Sequence, residues 1–369
     1  MKEVAQLLNE MRSAGVITDY ALFGAAAQIR YTEPVATLDA DVLVAVPSPE
    51  RLDILLPIYT FCSQKGYHPE GEAIREKIKR ALLKANGRQF ENESSVEGFI
   101  DSELDFSTRH SYGGNTSCVE IGGGANYTLC DMGSGLRCFG QQVMKEHNQP
   151  QVFNFFMSHV HWDHIMGFPF FTPAYLKGNH LRIYGGHAGL EDALRRQHGA
   201  PSFPVDFSAL CANIEFVRLE PDRQYDVAGL KVDVMLQRHA GDSYGYRFSS
   251  GGKSVVYATD SEHMLPDLAA MQGYVDFFRD ADLVIFDAMY SLADSISVKA
   301  DWGHSSNIVG VELCHLAGAR HLCLFHHEPI HGDEAIARIL AETRRFEEIS
   351  RTGKPLLVTA AYDGMEVHL

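Results

Sequence analysis

Apolar residues near the start of the chain fall at Val4, Leu7, Leu8 and Met11, the three-to-four spacing that predicts an amphipathic helix. A short apolar run, Tyr20 to Phe23, meets Gly24 and then Ala-rich sequence that reads as helix. VLVAV, opened by Asp41 and ended by Pro47, reads as a strand, and Ser48 caps a helix from about Pro49 to Lys65. Residues 74 to 97 open as a charged helix, IREKIKRALLKANG, and continue as polar sequence that reads as loop. From Tyr112 the texture changes to short strands punctuated by glycine: YGGNTSCVEIGGG, NYTLCDMGSG and QVFNFFMSHVHWDH, then LKVDVMLQ, YGYRF, SVVYATD and LVIFDA. The end alternates helix and strand: IVGVELCHLAG, HLCLFHHEP, a helix from Asp333 to about Arg351, and PLLVTAA.

Composition narrows the function classes. The 369 residues suggest two to three domains, at ~150 residues each. No apolar run approaches the ~20 residues of a membrane helix, and the amphipathic start does not resemble a signal peptide. The seven cysteines are odd in number, scattered and without a C-x-x-C pair, which suits free thiols in a reducing cytoplasm and not a zinc ribbon. A net charge of −16 disfavours sequence-independent binding to long nucleic acid, which needs clustered cations. The 18 histidines are the outlying count.

Six of them gather meaning from position. His159-Val160-His161-Trp162-Asp163-His164 directly follows the apolar strand Val152 to Met157. Two histidines at i and i+2 of a strand end can converge on one cation, and Asp163 and His164 can curl round to a second. Imidazole and carboxylate donors without a nearby thiolate suit Zn²⁺, and also Mn²⁺ or Fe²⁺.

HVHWDH resembles the H-x-H-x-D-H signature of the metallo-β-lactamase fold, and the similarity extends from about Tyr112 to the C-terminus. It implies an αββα sandwich, a fold of class α/β, for residues 112–369. It also implies a two-metal site: His159, His161 and His239 around one ion, Asp163, His164 and His326 around the other, and Asp260 bridging. His326 is preferred to His327 because it immediately follows the strand. DMGSG resembles the family's D-x-G-x-G turn, whose aspartate, here Asp131, supports the metal loop from behind. His263, His315, His321, His331 and His368 are expected to be surface or structural residues.

SYGYRF, YATD, GHSS (Gly303 to Ser306) and LFHHEP look like the branch that holds RNase Z and the cyclic-phosphate phosphodiesterases. In that branch a histidine at the His304 position assists the leaving oxygen and a carboxylate at the Asp287 position orients it. The implied activity is hydrolysis of a phosphodiester by a metal-bridging hydroxide, with Asp163 as its orienting base. No basic tRNA-gripping arm is evident, so the expected substrate is a small cyclic phosphate or cyclic nucleotide. An RNase Z-like endoribonuclease, a lactone or thioester hydrolase, and a catalytically impaired binding protein are the alternatives. The segment 165–205, with GFPFFTPAYLKG, is expected to cap the pocket, its aromatics either stacking on a base or packing as core.

Residues 1–73 resemble a truncated nucleotidyltransferase-like α/β segment, on a Gly24-Ala25 turn followed by Asp39-Ala40-Asp41. The third carboxylate of that fold is missing before the helix at Ala73, so residues 74–111 read as a helical linker. The hydrolase region lacks the strand that usually opens it. Either Asp41 to Val46 supplies it, or an open sheet edge favours a homodimer.

Overall fold

The computed structural model describes residues 9–14, 19–23, 41–45, 69–201, 203–263, 268–290 and 303–369. The expected helix over 49–65, the Gly24-Ala25 turn, Asp39 and Trp302 lie outside these residues. Two compact units are formed, Met1–Arg109 and His110–Leu369. No helix among the described residues is long and apolar enough to cross a membrane.

In the first unit β1 (Asp19–Phe23) and β2 (Asp41–Ala45) pair antiparallel, Asp19 opposite Ala45 and Phe23 opposite Asp41. They make a two-stranded sheet of their own, so 41–45 is not the opening strand of either larger sheet. Helix α1 (Pro69–Ala85) is followed by α2 (Glu93–Glu103) where the polar sequence suggested loop. Apolar periodicity is faint in α2, and its start is set locally. Asn92 accepts from the Ser95 N–H at 2.9 Å and its own N–H donates back to Ser95 Oγ at 3.3 Å, a capping box with serine in the usual Glu place. Phe99 is the buried anchor of that helix, 5.3 Å from Phe90. A short turn, α3 (Phe106–Arg109), closes the unit.

The second unit is a sandwich of a five-stranded and a seven-stranded sheet. The first sheet runs β3 (Val119–Glu120), β4 (Tyr127–Cys130), β5 (Val152–Met157), β6 (His180–Gly185) and β7 (Asn213–Arg218). From β4 to β7 the pairs are parallel, and α4 (Gly135–Glu146) makes the crossover from β4 to β5. The second sheet begins as an antiparallel meander, β8 (Gln224–Val227), β9 (Leu230–Gln237), β10 (Ser243–Ser250) and β11 (Lys253–Ala258). It then turns parallel through β12 (Leu283–Asp287), β13 (His321–Phe325) and β14 (Leu357–Ala360). The short helix α5 (Trp162–Ile165) follows β5 and α6 (Leu190–Gln197) follows β6, while α7 (Leu268–Phe278), α8 (Asn307–Ala317) and α9 (Asp333–Ser350) provide the crossovers of the second sheet. The opening edge, β3, has two residues, which leaves few unpaired backbone groups to recruit another strand.

Burial explains why the strand sequences look the way they do. β9 alternates, Leu230, Val232 and Val234 facing inward between Lys231 and Asp233. β5 (VFNFFM) does not alternate, because both of its faces are covered. Phe156 joins Tyr184, Tyr246, Phe248 and Tyr257 between the sheets, while Phe153 and Phe155 pack outward against Leu136 and Val143 of α4. Each such phenylalanine contributes roughly 1.5–3 kcal/mol of burial. Phe168 and Phe171 are fully buried in the outer cluster, so this part of the 165–205 segment is core. On the far side Phe278 of α7 meets Phe286 of β12 edge-on, and Asn307 of α8 donates to Thr343 of α9 at 2.6 Å. The layers are therefore helix, sheet, sheet, helix. The C-terminal ends of β4, β5, β9, β11, β12 and β13 lead into the residues singled out from the sequence.

Candidate metal centre

His159 to His164 leave the end of β5 as a tight loop ending in the short helix α5 (Trp162–Ile165). The loop rests on the turn after β4. The Met132 N–H donates to the His164 carbonyl and the Gly167 N–H to the Met132 carbonyl, both at 2.8 Å. A Cβ on Gly167 would lie 1.9 Å from the Gly133 carbonyl oxygen, so this approach needs glycine. Asp131, at φ 61°, points its fully buried carboxylate up into the loop. It accepts from the Ser158 N–H (2.7 Å), Ser158 Oγ (2.6 Å) and Tyr257 Oη (2.7 Å), and pairs with His164 Nδ1 at 2.8 Å.

These bonds fix which nitrogen each imidazole offers. His164 is held through Nδ1, and His159 Nδ1 lies 3.0 Å from Ser158 Oγ. His239 Nδ1 donates to the Gly303 carbonyl at 2.7 Å. All three leave Nε2 facing the centre. Gly303, at φ 85°, could not carry a side chain: its Cβ would stand 2.4 Å from His239 Nδ1.

Donor atoms of His159, His161, His239 and Asp260 lie within 4.8 Å of one another, as do those of Asp163, His164 and His326. His239 Nε2 and His161 Nδ1 are 3.2 Å apart, and so are His164 Nε2 and His326 Nε2. Asp260 lies between the groups. Its Oδ1 is 3.2 Å from His164 Nε2 and 3.5 Å from His326 Nε2, while Oδ2 is 3.6 Å from His159 Nε2 and 3.7 Å from His239 Nε2. Asp163 Oδ2 is 3.1 Å from His326 Nε2. Asp260 and His326, like Asp131, have positive φ, 45° and 56°. His327 turns away, its Nε2 donating to the Ala361 carbonyl at 3.0 Å.

The electrostatics ask for cations. Burial and the neighbouring His164 hold the pKa of His159 well below its usual value, and its buried Nε2 has no hydrogen-bond partner. At His164 burial opposes protonation, but the Asp260 and Asp131 carboxylates outweigh it and raise the pKa well above normal. At Asp163 and Asp260 burial favours the neutral acid, but His164 and His326 outweigh it and hold both carboxyls ionised. Five imidazoles and two carboxylates thus converge, with ring nitrogens 3.2 Å apart in two places and with His159 Nε2 and His326 Nδ1 lacking hydrogen-bond partners. Two divalent ions fit this donor set, and its N/O chemistry without thiolate matches Zn²⁺, Mn²⁺ or Fe²⁺.

Next to the cluster, His304 Nδ1 lies 2.8 Å from Asp287 Oδ2, at the end of β12. The Ser261 and Met289 N–H groups donate to the same carboxylate at 3.2 and 3.1 Å. The His304 ring stacks on His326, centroids 5.2 Å apart. Burial lowers its pKa, yet the Asp287 carboxylate more than compensates and the net shift is upward. Every site residue singled out from the sequence is therefore in one region. Ser158, Tyr257 and the Gly303 carbonyl were not singled out. A buried tyrosine three residues before Asp260, on the inward face of β11, is the signal that could have exposed Tyr257. Of the histidines set aside, His263 is half-buried and packs its ring against Tyr274 and Phe286, His321 bonds Thr359, and His368 is exposed.

Comparison with known proteins agrees with this geometry. The model of the Beta-lactamase superfamily domain matches residues 128–327, more than half of the chain. Ribonuclease Z of Thermoplasma acidophilum is 23% identical over 269 residues, 60% of this chain and 82% of that protein. The probable metallo-hydrolase YhfI of Bacillus subtilis is 26% identical over 177 residues, 46% of this chain and 64% of that one. Among solved structures, unliganded yeast PDE1 superposes with a TM-score of 0.53 at 13% identity, covering 68% of this chain and 93% of that one. The metallo-β-lactamase-fold protein YhfI gives 0.51 at 20% identity, covering 68% and 90%. With the family match spanning both the H-x-H-x-D-H loop and His326, the chain belongs to the β-lactamase superfamily of metal-dependent hydrolases.

Proposed function

We propose that this hydrolase is a phosphodiesterase acting on a small cyclic phosphate or cyclic nucleotide. The observation that carries the reading is the His304–Asp287 pair beside the donor cluster. Two divalent ions, zinc first, held by His159, His161 and His239 and by Asp163, His164 and His326 with Asp260 between, would supply Lewis acidity and an ionisable water. The chain's own residues supply the rest. Asp287, fixed by two backbone N–H groups, orients His304 through Nδ1 and favours its protonated form. Nε2 then gives its proton to the departing oxygen. Asp163 accepts a hydrogen bond from the attacking water and orients it. The named activity of the Ribonuclease Z relatives, on RNA, supports phosphodiester chemistry, while the −16 charge favours a small ligand over a long strand.

The test separates the proton donor from general damage. Metal content near two per chain and hydrolysis of bis-p-nitrophenyl phosphate are expected. In His304→Ala a substrate with an alkyl leaving group should lose about 10²–10⁴-fold in rate, while p-nitrophenolate, which needs no proton, is lost far less. Equal losses on both would remove the acid role. Faster turnover of lactones or thioesters than of any phosphodiester would replace the substrate class.

A further inference from the structure

Trp162 is 68% exposed, more than any other large apolar side chain of its loop, while Ile165 is 5% exposed and Phe168 and Phe171 are fully buried. An indole left in water this way is an unused apolar surface. It sits between His161 and Asp163, one from each donor group, and neighbouring Cα atoms are ~3.8 Å apart. Its backbone therefore lies one residue from a donor of each group. The Met166 N–H donates to the Trp162 carbonyl at 2.8 Å, one helical turn on, which places the two side chains on one face, and Met166 is 38% exposed. A flat π surface beside a soft thioether, next in the chain to the donor residues, suits the one part of a phosphodiester that has a π face of its own.

We infer that Trp162, flanked by Met166, is a stacking platform for the base of the substrate, which makes the substrate a nucleotide and not a bare sugar phosphate. This rests on the phosphodiesterase reading above and narrows it. Trp162 acts on binding; His304 and the metal donors act on the bond.

The experiment crosses two substrates with two proteins: 2′,3′-cyclic AMP and base-free ribose 2′,3′-cyclic phosphate, against wild type and Trp162→Ala. For the nucleotide KM should rise roughly 10- to 100-fold with kcat little changed, the size of one base–aromatic stack, and for the base-free ester it should barely move. Trp162→Phe should restore most of the loss. Equal weakening of both substrates would mean that the indole merely shapes the loop, and no change in either would assign this face to another occupant; both overturn the proposal. A binding readout keeps it testable if neither ester is hydrolysed, which would sink the phosphodiesterase reading alone. The chain has two tryptophans, so Trp302→Phe leaves Trp162 as the sole indole. Its emission should be quenched by adenosine monophosphate and not by ribose 5-phosphate; no quenching by either overturns the stack.

Discussion

The half of the centre made by Asp163, His164 and His326 and the half made by His159, His161 and His239 share Asp260, yet they are supported by different means. His164 is held from behind by Asp131, a fully buried carboxylate that also engages Ser158 and Tyr257. It is therefore one member of a network that ties β4, β5 and β11 together across both sheets. On the other side His239 hangs on one backbone carbonyl, that of Gly303, and His161 is exposed to solvent. His159 touches the same network through Ser158 Oγ at 3.0 Å, so the contrast is sharpest between His164, positioned by the core, and His239, positioned by a loop that must remain free of a side chain. Orientation that costs a buried charge network should be rigid and should double as fold stability; orientation by a carbonyl should be local and separable.

The largest expected effect comes from Asp131→Ala. It strands the partners of a buried charge, so the metal-free protein should lose about 3–5 kcal/mol in urea denaturation, and metal affinity should drop about 10- to 100-fold. Unchanged denaturation would show that the network orients His164 without holding the fold. Gly303→Ala is expected to be narrower. The new methyl displaces His239, and the strained φ adds about 1–2 kcal/mol, so the bound metal should fall from two per chain to one; retention of both would mean the halves are not separable. Chelation of the wild type should sharpen the contrast further, with the ion beside the exposed His161 leaving in a fast phase and the other in a slow one. A single phase would erase the distinction.

The smallest effect lies away from both halves and serves as the control. The hydrogen bonds from Arg351 hold the buried Glu347 at about 2, below its ordinary 4.5, helped by the Leu356 N–H. A carboxyl depressed on folding contributes stability that is complete above its unfolded value and is lost as pH falls from about 5 toward 2. Glu347→Gln should flatten that part of the stability curve and leave metal content alone, as acid titration of both proteins would show.

Legibility in the sequence followed contiguity. HVHWDH carries four donor residues in six positions, and His239, Asp260 and His326 each follow a recognisable strand, so the resemblance was readable and with it the αββα order. Asp131 was readable as part of DMGSG, but its partners were not. Ser158 looks like a linker between strand and motif, and Tyr257 is 126 residues away from Asp131, joined only when the sheets pack. The helix α2 was hidden because its start depends on the Asn92–Ser95 exchange and not on apolar spacing. In GFPFF no periodicity tells the buried Phe168 and Phe171 from Phe170, which stays 55% exposed; only the tertiary fold sorts them.

Asp131, Asp260 and His326 all have left-handed backbone, where glycine, asparagine, aspartate and histidine are the residues tolerated at low cost. Conformation and chemistry therefore draw on the same short alphabet at these positions. A descendant that stopped using metal would still be under pressure to keep that alphabet, and its easiest drift would be from aspartate to asparagine, sparing the backbone and deleting the charge. Across diverged copies of this fold, the informative difference is thus a single amide in place of a carboxylate, and the survival of the motif's outline says little about whether a copy still turns over substrate.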